Sequence, residues 1–386
     1  MIIEPKVKGF ICITAHPEGC KENVARQISY IKKLGKTTGP KKVLIIGAST
    51  GYGLASRIAV TYACDAATLG IMFEKSASGR RTATPGWYNT AAFEELAAKD
   101  GYYAASINGD AFSEEIKAQV IERIRNDLGK VDMVIYSLAA PRRTMQDGTV
   151  YASVLKTVGC EFTDKSLNLN DNTVTEVTIG PATEEEIKST VKVMGGEDWK
   201  DWITALAGAD VLSDNAITIA YSYIGPELTY PIYYNGTIGL AKKHLHSTSV
   251  EIMEEFNTKG IKAYVSINKA LVTQASSAIP VVPLYFAILY KVMKEKENHE
   301  GCIEQMGRLF HDKLKPSGAV ADEENRIRLD DYEMQEDVQA RVMEIWNRVN
   351  TENLSELADL TGYWEDFFHM FGFRFDNIDY SKDVEI

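Results

Sequence analysis

The sequence predicts an α/β fold, a doubly wound parallel sheet with insertions and a helical substrate-binding region. Three observations predict it. Short apolar runs of β type alternate with amphipathic helical runs along the first third of the chain. One such run, Lys41-Lys42-Val43-Leu44-Ile45-Ile46, feeds directly into Gly47-Ala48-Ser49-Thr50-Gly51-Tyr52-Gly53 and then a helical stretch. The strands are apolar almost throughout rather than alternating, which is the pattern of a sheet covered on both faces. With 386 residues, 45% hydrophobic and 10% aromatic, the chain is long enough for one large domain with a substantial core.

The elements follow in order. Residues 6–14 read as a strand and 21–34 as a helix, with a loop from Gly35 to Pro40. The strand at 43–47 enters the glycine turn, and the next helix runs to about Cys64. Thr68 to Phe73 is a second buried strand ending at Glu74. Ser76 to Asn89, rich in Ser, Gly, Arg and Pro, reads as a long loop before a helix over 90–99. Tyr102 to Asn108 is a third strand, 113–128 an amphipathic helix, and Val131 to Ser137 a fourth strand. Residues 142–209 break the rhythm and read as an insertion, with a hairpin near 158–180 and a helix opening at Thr183. A fifth strand at 216–221, a helix from about Ile238 and a sixth strand at 263–267 restore it. Pro283 onward is helical, and 320–386 reads as an acidic tail of short helices. The resulting division is a single unit over 1–386. It comprises an N-terminal extension (1–40), a nucleotide-binding core (41–141 and 210–275), the insertion, and a helical lid and C-terminal region (276–386).

Charge and composition exclude several classes. Lys and Arg number 42 against 54 acids, a net charge of −12, which argues against general nucleic-acid binding. The pairs Arg80-Arg81 and Arg142-Arg143 still suit the phosphates of a small ligand. Five scattered cysteines without a CxxC fit a reducing cytoplasm. No histidine spacing suggests a metal, and His299-Glu300-Gly301-Cys302 is too compressed to close a zinc site, so it reads as a turn before a helix. The N-terminus, with an acid and a proline among its first residues, is no signal peptide. The uncharged run Ala270 to Tyr290 carries too many polar residues and prolines for a membrane span. It reads as the wall of an apolar ligand pocket, with Ser276 to Tyr290 as lid and wall.

The glycine turn carries the clearest chemistry. A buried strand, a tight turn and a helix N-terminus place backbone N–H groups and the positive end of a helix dipole where a pyrophosphate can sit. The GxxxGxG spacing is the short-chain-dehydrogenase variant of the Rossmann dinucleotide fingerprint. Glu74, at the end of the second strand, suits the adenosine ribose hydroxyls and opposes a 2′-phosphate, favouring NADH; Lys75, Arg80 and Arg81 pull the other way. Asp110-Ala111 follows the third strand, where a carboxylate can accept from the adenine amino group. Ser137-Leu138-Ala139-Ala140 offers small residues beside the nicotinamide ribose. A backbone amide and hydroxyl within Asn268-Lys269-Ala270-Leu271-Val272-Thr273, after the sixth strand, suit the nicotinamide carboxamide.

A tyrosine cluster supplies the candidate reaction centre: Tyr221-Ser222-Tyr223-Ile224-Gly225 and Tyr230-Pro231-Ile232-Tyr233-Tyr234-Asn235-Gly236-Thr237, followed by Lys242-Lys243. A Tyr paired with a Lys can polarise or protonate a substrate oxygen, the lysine charge lowering the tyrosine pKa. Tyr233-x8-Lys242 is about half a helical turn out of phase, so Tyr233 must precede the helix, with Thr237 as its N-cap. Tyr234 and Lys243 share that spacing, and spacing alone cannot choose between the pairs.

These motifs together resemble the trans-2-enoyl-CoA reductase family, which includes the V-type enoyl-acyl-carrier-protein reductases. GASTGYG at 47–53, YSYIG at 221–225, the Tyr-x8-Lys pair and NKALVTQASSAIPVVPLY at 268–285 carry the resemblance. KVKGFICITAHPEGC at 6–20, NHEGCIEQ at 298–305 and DEENRIRLDD at 322–331 extend it over nearly the whole chain. It implies a cytoplasmic, usually monomeric, NADH-dependent reductase with a short-chain-dehydrogenase-like core. The family pattern puts the catalytic tyrosine on Tyr233, its lysine on Lys242, and a second tyrosine, contacting the thioester carbonyl, on Tyr223. It carries cofactor positions to Gly47 through Gly53, Phe73, Glu74, Asp110, Ala111, Leu138, Ala139, Lys242, Leu271, Val272 and Thr273. The implied substrate is a short-chain enoyl-CoA, crotonyl-CoA to butyryl-CoA. The alternative is the acyl-carrier-protein thioester of fatty-acid synthesis, and a non-catalytic NADH sensor is a remote third reading.

Overall fold

The computed structural model describes every residue except 10, 275, 277, 278 and 317. Part of the expected strand over 6–14, and Ala275, Ser277 and Ala278 of the expected pocket wall, therefore lie outside the described residues. Seven strands form the central sheet: β1 (Lys42–Ile46), β2 (Ala67–Met72), β3 (Ala104–Asn108), β4 (Val131–Tyr136), β5 (Leu212–Ser222), β6 (Lys262–Ile267) and β7 (Arg326–Arg328). Their order is β7-β6-β5-β4-β1-β2-β3, and every neighbouring pair is parallel. The order reverses between β1 and β4. In such sheets ligands bind outside the carboxyl ends of the strands at that reversal.

Helices in chain order are α1 (Pro17–Leu34), α2 (Gly51–Cys64), α3 (Pro85–Lys99), α4 (Glu114–Asp127), α5 (Glu184–Met194), α6 (Glu197–Gly208), α7 (Thr237–Glu255), α8 (Val282–Glu295), α9 (Cys302–Arg308), α10 (Glu336–Arg348), α11 (Leu354–Leu357) and α12 (Leu360–His369). The period-two geometry of a strand explains why β1 is apolar at every inner position. Val43 and Ile45 pack among α1, α2, α3 and α9, while Leu44 and Ile46 pack on the opposite face among α4 and α6. A third apolar cluster joins α8, α10 and α12 to the hairpin Phe162–Asn168 with Thr173–Ile179. Among the described residues no helix is long and apolar enough to cross a membrane.

Several expectations change. In place of one strand over 6–14 there are two short antiparallel strands, Val7–Lys8 paired with Ile11–Cys12. α1 starts at Pro17, where His16 Nδ1 accepts from the Gly19 amide and caps the helix. α3 starts at Pro85, inside the stretch expected as loop, because proline suits the first helical turn. α6, inside the expected insertion, covers the sheet: Trp199 and Trp202 are fully buried against it. Thr237 is not the cap of α7; Gly236 occupies that position. The Thr237 hydroxyl is held instead by Val154 and Lys156, inside the insertion. β7 lies within the tail expected as helices only. Its Ile327 is fully buried, while Arg326 and Arg328 flank it and pair with Asp322 and Asp330.

Candidate active site

The turn between β1 and α2 sits at the sheet reversal. Gly47 has φ +83, and a Cβ there would run into the Ser137 carbonyl oxygen at the end of β4. A Cβ on Gly53 would likewise strike the Gly47 carbonyl. Close backbone packing thus dictates both glycines, and at Gly47 the conformation does so as well. The N-cap Thr50 makes no side-chain cap bond, and the first turn of α2 carries no acid. The opening amides of α2 face a position suited to an anion.

Glu74 is tied to this turn. The Ser49 hydroxyl donates to Glu74 Oε1 at 2.6 Å, and Asn89 Nδ2 donates to the Ser49 carbonyl at 3.1 Å. Asn108, at the end of β3, holds the Glu74 backbone on both sides: Glu74 N–H donates to Asn108 Oδ1 at 2.8 Å, and Asn108 Nδ2 donates to the Glu74 carbonyl at 2.9 Å. Sequence reasoning passed over Asn108. Phe73 is 77% exposed, an open ring beside that carboxylate. Arg80 and Arg81 are exposed and make no ion pair among the described residues. Asp110 Oδ1 accepts from the Phe112 amide at 3.0 Å, and the Ala111 carbonyl accepts from the Trp202 indole at 3.1 Å. Leu138 is half-buried and Ala139 exposed, just past β4.

Leu271 and Val272 are buried. The Val272 amide donates to Tyr290 Oη at 3.0 Å and the Thr273 amide to Ser276 Oγ at 2.9 Å. The amides expected to be open for a carboxamide are thus already engaged within the protein.

β5 delivers Tyr223 just past its carboxyl end, and the turn before α7 delivers Tyr233. Their rings meet edge to face, with centroids 4.9 Å apart at 78°. Tyr233 is 9% exposed, and its hydroxyl has no hydrogen-bond partner among the described residues. Lys242 extends from α7, and its Nζ donates to the Tyr221 carbonyl at 2.9 Å. Tyr234 is half-buried and Lys243 exposed, with Lys243 Nζ 4.6 Å from the centre of the Tyr234 ring. The two pairs that spacing left equal therefore occupy different surroundings.

Burial dominates the electrostatics here. It lowers the Lys242 ammonium to about 8 and pushes the Tyr233 phenol well up from its ordinary value. The expected lowering of Tyr233 by Lys242 does not occur: burial is the cause acting on the phenol, and the lysine reaches the Tyr221 carbonyl instead. Tyr233 is a neutral O–H donor.

Behind Tyr223 lies a buried polar cluster that the sequence did not disclose. Glu333 is fully buried, on the segment between β7 and α10. Its Oε1 accepts from Tyr223 Oη at 2.8 Å and Tyr285 Oη at 2.7 Å, and its Oε2 accepts from the Ala270 amide at 2.7 Å. Lys269 is buried close by, its Nζ donating to the Ala270 carbonyl at 3.0 Å, and burial lowers it to about 8. Glu333 sits in the run Asp330-Asp331-Tyr332-Glu333-Met334-Gln335-Glu336, which reads as solvated surface. No local signal marks it.

Three family models match. Residues 2–79 match "NAD(P)H binding domain of trans-2-enoyl-CoA reductase", 81–315 match "Trans-2-enoyl-CoA reductase catalytic region", and 321–384 match "Enoyl reductase FAD binding domain". The chain belongs to the trans-2-enoyl-CoA reductase family. The reductase is 57% identical over 386 residues to the enoyl-[acyl-carrier-protein] reductase [NADH] of Flavobacterium johnsoniae, covering 100% of this chain and 98% of that protein. It is 54% identical over 387 residues to the trans-2-enoyl-CoA reductase [NADH] of Ruminiclostridium cellulolyticum, with the same coverage. The crystal structure of Treponema denticola trans-2-enoyl-CoA reductase in complex with NAD superposes with a TM-score of 0.96 at 49% identity, covering 100% of this chain and 98% of that one.

The residues fit a dinucleotide at the β1–α2 turn, where the glycines and open amides lie at the sheet reversal. A flavin does not fit residues 321–384 of the reductase. The glycines there are packed against the protein's own atoms, Gly362 against Asp359 and Lys294, and Gly372 against His16 and Cys20. The apolar side chains of α10 and α12 are buried against α8.

Proposed function

We infer that the chain catalyses NADH-dependent reduction of the trans-2 double bond of an enoyl thioester, with a short-chain enoyl-CoA, crotonyl-CoA to butyryl-CoA, as substrate. The observation that carries this reading is the edge-to-face contact of Tyr223 and Tyr233 beside the nucleotide turn, in a member of this family. Bound NADH supplies the hydride, which the substrate takes at its β-carbon. Gly47, Ala48, Ser49, Thr50, Gly51, Tyr52 and Gly53 bind the pyrophosphate side. Phe73, Glu74, Asp110 and Ala111 bind the adenosine side, and Leu138, Ala139, Lys242, Leu271, Val272 and Thr273 the nicotinamide side. As charge moves to the thioester oxygen, the hydroxyls of Tyr223 and Tyr233 stabilise the enolate, with the Lys242 cation nearby. Tyr233, or water it orders, returns a proton to the α-carbon. Leu271, Val272 and the buried face of α8 keep water out, which strengthens each of these contacts.

The chain acts, in this reading, as a cytoplasmic monomer folding as a single unit. A second reading, an enoyl-acyl-carrier-protein reductase of fatty-acid synthesis, is supported by the name of the Flavobacterium johnsoniae relative. The net charge of −12 opposes docking of an acidic carrier and favours the CoA thioester. Rates on CoA and carrier-protein thioesters of equal chain length distinguish the two. NADH oxidation with crotonyl-CoA supports the first reading, and oxidation with the carrier thioester alone supports the second.

A further inference from the structure

Tyr223 can stabilise an enolate only if its O–H points at the substrate, yet in this structure that hydroxyl is in hydrogen-bonding contact with Glu333. The geometry around Glu333 shows what would release it. Oε2 faces the Ala270 amide, a fixed donor, which favours placing an added proton on Oε1, where two hydroxyls can meet it. Oε1 faces two hydroxyls, Tyr223 and Tyr285. Gln339 Nε2 donates to Tyr285 Oη at 3.2 Å and to the Glu333 carbonyl at 2.7 Å. Tyr285 Oη therefore already accepts a hydrogen bond and is retained as a donor to Oε1. The added proton is directed at Tyr223.

We propose that Glu333 is a positioning residue whose protonation decides which way the Tyr223 hydroxyl donates. With Glu333 ionised, Tyr223 and Tyr285 both donate to Oε1, and the Tyr223 proton is turned away from the substrate. With one proton taken from solvent, Oε1–H donates to Tyr223 Oη, and the Tyr223 O–H is free to donate to the thioester oxygen. No bond other than O–H is made or broken, and the proton returns to solvent when Glu333 ionises again. The inference rests on the role given above to Tyr223.

The charged and titratable groups facing Glu333 come from four elements: Tyr223 after β5, Tyr285 on α8, Tyr52 on α2 and Lys269 after β6. Burial raises the Glu333 carboxyl above the ordinary carboxylate range, while the Lys269 ammonium, the Ala270 amide and the two hydroxyls hold it back. Neutral Glu333 is thereby populated at a higher pH than a solvated glutamate would allow.

The test is the pH profile of kcat with crotonyl-CoA and saturating NADH in wild type, E333Q and Y285F, each checked for an intact thermal transition. A glutamine amide donates to Tyr223 and accepts from Ala270, as the neutral acid does, and it cannot ionise; its nitrogen does not accept from Tyr285. Wild-type kcat is expected to fall about tenfold across the ionisation of Glu333. E333Q is expected to lose that limb. Y285F removes a donor to the carboxylate and is expected to move the limb to higher pH. If E333Q does not fold, the shift in Y285F alone supports the proposal. An unchanged profile in the folded variants overturns it. Y223F separates the two levels. If Y223F is impaired and the E333Q profile is unchanged, only the Glu333 proposal fails. If Y223F turns over at the wild-type rate, the role of Tyr223 itself fails.

Discussion

Lys242 Nζ donates to the Tyr221 carbonyl at 2.9 Å, fixing the α7 cation to the end of the strand that delivers Tyr223. The contact holds a buried ammonium whose pKa is lowered to about 8. The cation is present below that pH and lost above it. kcat/KM, which reports groups on the free enzyme, is therefore expected to fall as pH rises through about 8. Lys242→Met is expected to remove that limb and to lower turnover by roughly 10²-fold, the order seen for loss of one positioned catalytic group. A pH–rate series on both proteins checks it, and an alkaline limb persisting in Lys242→Met contradicts it.

Glu74 governs the choice of nucleotide. Its carboxylate is held by Ser49 in a position to meet ribose hydroxyls and to repel a 2′-phosphate. A hydrogen bond to a charged group contributes about 1.5–3 kcal/mol. Glu74→Ala is expected to raise the NADH KM by about tenfold or more and to narrow the preference over NADPH. Steady-state kinetics with both nucleotides measure this, and an unaltered NADPH to NADH ratio would speak against the assignment.

Gly47 tests the turn itself. Alanine there must adopt φ +83 and meet the Ser137 carbonyl. The conformation alone costs about 1–2 kcal/mol, and the close approach adds to it. Gly47→Ala is expected to lose stability by about 2 kcal/mol or more in denaturant titration and to weaken NADH binding by fluorescence.

Tyr234 and Lys243 provide the control. They share the spacing of Tyr233 and Lys242 but meet each other through a ring–ammonium contact near the surface. Such contacts contribute about 0.5–1 kcal/mol when exposed. Tyr234→Phe and Lys243→Ala are expected to keep turnover close to wild type. A large loss in either would reverse the choice of pair.

The sheet was legible where burial on two faces leaves an unbroken apolar run, as over residues 43–46 of β1, and where Gly47 and Gly53 mark a close turn. β7 was not legible. It is three residues long, and only Ile327 faces the core while two arginines pair with acids at the sheet edge. α6 was taken for insertion because the long irregular stretch before it hides its place as the cover of β5. Thr237 looked like a cap because its residue type suits one, yet its hydroxyl is held by the backbone at 154–156. The rivalry between Tyr233 and Tyr234 could not be resolved from spacing, since adjacent residues share every period; burial separates them. Glu333 reads as one more acid in an acidic tail. Only the fold brings it beneath Tyr223, some hundred residues away in the chain.

The central claim is that Tyr233 is the hydroxyl that meets the developing enolate. The most direct measurement is NADH oxidation with crotonyl-CoA by wild type and Tyr233→Phe, with NADH affinity measured on both. The expected result is rapid oxidation by wild type and a loss of about 10²–10³ in kcat for the variant, at unchanged NADH affinity. Wild-type turnover in Tyr233→Phe would contradict it.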